Sequence, residues 1–131
     1  MNDLIIEGLV KKEIPLLIDG KLEKTEMGFF FGTLTFKLMK VNHGIDLQDI
    51  DSKKEEIEKD PFSGMDFVVD FVHTAHASWQ KINGKEPLVN QDQLLFAMDV
   101  MGVDKFSEIM NEGLKQFEEK EGNPKTPSSK E

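Results

Sequence analysis

Cysteine is absent from this 131-residue chain, which excludes disulfides, thiolate metal sites and a cysteine nucleophile. Arginine is absent as well, so all 16 basic residues are lysine, and there is no tyrosine. Arginine is the side chain best matched to bidentate recognition of phosphate and guanine. A net charge of −9 repels a phosphate backbone rather than attracting it. Nucleic-acid binding is therefore not expected. No apolar run approaches the roughly 20 residues of a membrane span, and no membrane association is expected. The opening stretch MNDLIIEGLVKK lacks a basic lead-in and a small-residue cleavage site, so it does not read as a signal peptide. The missing thiols fit a cytoplasmic protein.

What is present is ordinary globular composition, 38% hydrophobic and 31% charged. The length suits one domain with a core of its own. That domain is expected over residues 1–120. Residues 121–131, EGNPKTPSSKE, carry no apolar side chain except proline and read as a disordered polar tail. No role is evident for residues 1–13.

The run IPLLI at 14–18, followed by Asp19-Gly20 and a polar stretch at 21–27, predicts a short β-hairpin. Pro15 confines its strand to an edge. Residues 29–41 are ambiguous. Phe31, Leu34, Leu38 and Val41 recur at helical spacing, whereas Leu34, Phe36 and Leu38 alternate with Thr33, Thr35 and Lys37 as in a half-buried strand. The stop at Asn42-His43-Gly44 favours a helix from Phe29, with Phe36 opposite its apolar stripe.

Ser52 and Glu55 have capping-box spacing, with Pro61 as the stop. The clearest helix is 65–82, where Val68, Phe71, Val72, Ala75, Trp79 and Ile82 form one stripe and Asn83-Gly84 ends it. Asn90 with Gln93 predicts a second cap, opening a helix with Leu94, Leu95, Met98 and Met101 on one face. Gly102 interrupts, and Asp104 caps a last helix bearing Phe106, Ile109, Met110, Leu114 and Phe117. The fold class expected is mainly α: a short N-terminal hairpin followed by about five helices packed as one domain.

Candidate chemistry is sparse. Asp66, Asp70 and His73 share the polar face of the 65–82 helix, and His76 borders its apolar stripe. Carboxylates and imidazoles at that spacing can ligate a metal. One helix supplies too few ligands, no second ligand-bearing motif completes the set, and Asp70 with His73 reads more simply as a polar i,i+3 pair. No metal or other cofactor is expected. No nucleophile elbow, phosphate-binding loop or acid–base pair is recognisable, so no catalytic residue is assigned.

The apolar excess is more informative. Three consecutive phenylalanines cannot all sit on one narrow helical face. Either the helix is buried on two sides, or some rings meet another chain. Phe29, Phe30 and Phe36 are candidate partner-binding residues on that ground. Met98, Met101 and Met110 carry the same double reading, as core fillers or as an adaptable surface for apolar helices.

The order of these features resembles a known family. Phe29-Phe30-Phe31-Gly32, the amphipathic stretch 34–41, Gly44-Ile45-Asp46-Leu47, Asp60-Pro61, Glu86-Pro87-Leu88-Val89 with the capped helix after it, and the last helix from Asp104 together resemble the tail assembly chaperones of siphophages and related prophages. The likeness covers about residues 14–118. It implies a small, mostly helical, non-enzymatic protein of the host cytoplasm, without cofactor or catalytic residues. Such proteins coat the hydrophobic helical tape-measure protein until tail-tube subunits polymerise around it. They self-associate, and a longer frameshifted form recruits the tail-tube protein. Two other readings stand beside it. One is a small bacterial adaptor or regulator using the same apolar surface; the other is a metal-dependent helical protein using Asp66, Asp70 and His73.

Overall fold

The computed structural model describes residues 6–60 and 64–120. Two antiparallel strands, β1 (Leu9–Ile18) and β2 (Lys21–Phe30), are joined at Asp19-Gly20, where both residues take positive φ (54° and 79°). That is the backbone a two-residue hairpin turn demands, and it sets Ile18 opposite Lys21. The hairpin is longer than expected, because Leu9 to Glu13 form the first half of β1 and the first two phenylalanines are the last two residues of β2. Cross-strand pairing puts Val10 and Phe29 on one face, with Ile14, Leu16 and Met27. Side chains alternate along a strand, so that face is the core and the opposite one carries Leu9, Gly28 and Phe30.

Helices follow: α1 (Thr33–His43), α2 (Leu47–Lys59), α3 (Met65–Ile82), α4 (Gln91–Met101) and α5 (Val103–Lys120). Gly102 alone separates α4 from α5. α3 packs against β2, α1, α4 and α5, and α5 also touches both strands. At the far end of the hairpin, the Gly8 amide donates to the Gln116 side-chain carbonyl of α5 (2.9 Å), tying residues 108 apart in sequence. The tail at 121–131 and the stop assigned to Pro61 lie outside the described residues.

Several sequence signals have the structural partners they imply. Gly44 ends α1 at φ 68°, its amide bonded to the Lys40 carbonyl. Asn90 and Gln93 exchange side-chain-to-backbone hydrogen bonds at the start of α4, both 2.9 Å. Two helix starts differ. The Asp46 amide donates to the Asp49 carboxylate and α2 begins at Leu47, well before Ser52. α5 begins at Val103, so Asp104 lies inside its first turn instead of capping it.

The largest departure is at residues 29–41. The strand runs to Phe30 and the helix starts at Thr33, so the three phenylalanines are not on one helix. Nor is the stripe of Phe31, Leu34, Leu38 and Val41 the buried face of α1. Thr35 and Met39 are buried, Leu34 and Leu38 are half-buried, and Val41 is 70% exposed. Hydroxyl chemistry sets this phase. The Thr35 hydroxyl donates to the Phe30 carbonyl and meets the Ser78 hydroxyl at 2.7 Å, and Ser78 in turn reaches the Phe30 carbonyl at 3.2 Å. A buried hydroxyl without such partners costs about 1–3 kcal/mol. Turning Thr35 inward rotates Val41 outward.

Candidate functional site

α3 lies along β2, and its polar side chains occupy backbone groups there. His76 is fully buried; the Leu88 amide donates to its Nε2, and its Nδ1–H donates to the Gly28 carbonyl, both at 3.0 Å. Those bonds fix the neutral tautomer. Burial holds the His76 pKa below its ordinary value, against the Gly28 carbonyl, which favours the charged ring; nearby His73 lowers it further. His76 is thus a clamp between β2 and the α3–α4 loop, not the boundary residue its sequence position suggests. Neither of its nitrogens is available to a substrate.

Rings use the glycines of this region as seats. A Cβ on Gly28 would lie 2.5 Å from the Trp79 ring, and one on Gly32 would lie 2.3 Å from the Phe30 ring. Trp79 is therefore half-buried over the outer face of β2, beside Phe30 at 6.1 Å, rather than at the centre of the core. Ile82, the last member of that stripe, is exposed.

The acidic and imidazole groups of α3 do not converge. Asp66 is exposed, Asp70 faces His43 (3.7 Å), and the His73 Nε2–H donates to the Val89 carbonyl (3.0 Å). The pairing of Asp70 with His73 is thereby replaced by two separate contacts. Among the described residues, no group of three histidine or carboxylate side chains comes together as metal ligands.

Of the six candidate partner-binding residues, three are core. Phe29, Met98 and Met110 are fully buried: Phe29 because strand alternation turns it inward, the methionines because α4 and α5 pack those faces inside the domain. Phe30 is half-buried beneath Trp79, and Met101 is half-buried against the core. Phe36 differs. It is half-buried, with its ring 5.8 Å from Phe71 and 4.6 Å from Phe117, and it forms the floor of an open groove between α1 and α5.

That groove has a volume of about 540 Å³ and is lined by Thr33, Phe36, Lys37, Lys40, Val41, Asp46 and Phe117. Its size lies within the range of roughly 300–1,000 Å³ usual for binding sites. Phe36, Val41 and Phe117 make it apolar, and Val41 is the most exposed large hydrophobic residue described. Lys40 is ion-paired with Asp46; that hydrogen bond, with the carboxylate's charge, raises the pKa of its ammonium. Lys37 has no ion-pair partner among the described residues. Sequence reading found Phe36 but missed Phe117 and Val41 as site residues, having assigned both to core stripes. Their only signal was position at the ends of those stripes. Among the described residues no helix is long and apolar enough to cross a membrane. Comparison of the chain with protein-family models, curated proteins and solved structures finds no match.

Proposed function

We propose that the protein is a non-catalytic tail assembly chaperone, working in the host cytoplasm, that holds an apolar helical segment of a tape-measure protein in the α1–α5 groove. The observation that carries the reading is the groove itself, whose floor is two phenylalanine rings and whose wall is an exposed valine. An apolar helix laid in such a groove buries a ridge of i, i+3, i+4 side chains without needing a fixed register. The resemblance of residues 14–118 to the phage chaperones supplies the client. Self-association, and recruitment of the tail-tube protein by a longer form, belong to the same proposal. The acidic surface keeps the loaded complex soluble.

Val41→Asp tests the site. Val41 contributes little to the core, so the melting temperature should hold, while affinity for a synthetic apolar helix from a tape-measure protein falls at least about tenfold. Unchanged affinity would place the client elsewhere.

A further inference from the structure

The groove is lined by more lysines than carboxylates, in a chain of net charge −9. α1 carries no acidic residue; its two lysines, Lys37 and Lys40, both lie on the groove rim, while His43 faces Asp70. Asp46 also lines the groove but is already paired with Lys40, whose ammonium also feels the Asp49 carboxylate. One exposed cation, Lys37, is left beside an apolar floor in a chain of net charge −9.

We infer, building on the groove's role as a client site, that it selects amphipathic helices whose apolar face is flanked by carboxylates. Lys37 supplies the unpaired charge, and Lys40 can share its ammonium hydrogens between Asp46 and a client carboxylate. Long lysine stems lie along apolar surface while their heads remain in water, so the same side chains that frame the floor present charge to the client's flank. The net acidity of the protein predicts the reverse preference, for basic helices. Which effect wins depends on distance. Screening extends over about 8–10 Å at physiological ionic strength, so a contact pair at the rim is damped less than pairs with more distant carboxylates. The rim pairs therefore set the register and sign of the client, while the apolar floor supplies the affinity.

The test uses the full chain and three synthetic amphipathic helices of identical apolar face, flanked by Glu, Gln or Lys. Fluorescence anisotropy should rank them Glu, then Gln, then Lys at low salt, with about three- to fivefold between the first two. At about 0.5 M salt the three should converge. Lys37→Glu, whose melting temperature serves as the fold control, should reverse the order. Equal binding of all three, tightest binding of the Lys-flanked helix, or an order unchanged by Lys37→Glu would each overturn the selectivity and leave the groove as a client site. Failure of every helix to bind at millimolar concentration would overturn the client reading and the selectivity with it.

Discussion

Replacing Gly113 with alanine should destabilise the domain, although helix propensity alone says the opposite. Gly113 lies mid-helix in α5, where alanine is ordinarily favoured by about 1 kcal/mol. Here a Cβ would stand 2.0 Å from one carbon of the Phe31 ring and within 2.5 Å of two more. The ring has nowhere to retreat. It is fully buried, packed edge-on against Phe71 at 5.3 Å, and its own amide is bonded to the Gly8 carbonyl at 2.8 Å. Relief therefore requires α5 to move off the hairpin, which costs about 1–3 kcal/mol for overpacking and more where helix and strand must separate. Against the propensity gain, a net loss of about 2 kcal/mol is expected, or a melting temperature lower by roughly 5–10 °C. Thermal and urea melts measure it. A double-mutant cycle with Phe31→Leu should show the two changes costing less together than their sum. If Gly113→Ala raises the melting temperature, the close approach of α5 to Phe31 is wrong.

Phe36→Ser should cost about 2 kcal/mol, because the ring touches Phe71 and Phe117; a melting temperature within a degree of wild type would show that it is a free surface anchor after all. Thr35→Val keeps the shape but removes the hydroxyl that serves Phe30 and Ser78, and should cost about 1–2 kcal/mol in a urea melt; a neutral result would mean the hydroxyls do not set the phase of α1. For His76 the folded pKa is lowered, so the unfolded chain takes up the proton first. Stability is full above the unfolded value of about 6.5 and falls as pH drops below it, by up to about 1.4 kcal/mol per pH unit until the folded pKa is reached. The slope between pH 7.5 and 5.5 should flatten in His76→Gln, and an equal slope in both proteins would refute the assignment.

Strong local signals carried the sequence reading a long way. Asp19-Gly20 can form few backbones other than a hairpin turn, and the Asn90–Gln93 box and Gly44 stop depend on chemistry within four residues. What failed depended on partners far along the chain. Whether Phe29 and Phe30 extend a strand or start a helix turns on α3, whose His76 and Ser78 satisfy the carbonyls of Gly28 and Phe30 from 48 residues away. Counting apolar residues misplaced the buried face of α1, since a threonine buried for its hydroxyl is invisible to that count. The groove was half legible. Phe36 stood out as off-stripe, but its apolar neighbours in the groove come from the end of α1 and the end of α5, and nothing local to either marks them as adjacent.

The bond between Gly8 and Gln116 also bears on how the chain behaves as it is made. β1 is among the earliest described segments to leave a ribosome, and the helix that seals it is the last. At about 5–20 residues per second, the 108 residues between the two ends of that bond take roughly 5–20 seconds to synthesise. During that interval α5 cannot cover the nascent hairpin, and Val10, Ile14 and Phe29 lack the cover that the finished domain provides. Closure of that contact is therefore late, and a chain cut short before Gln116 should give a sticky fragment rather than a smaller working domain.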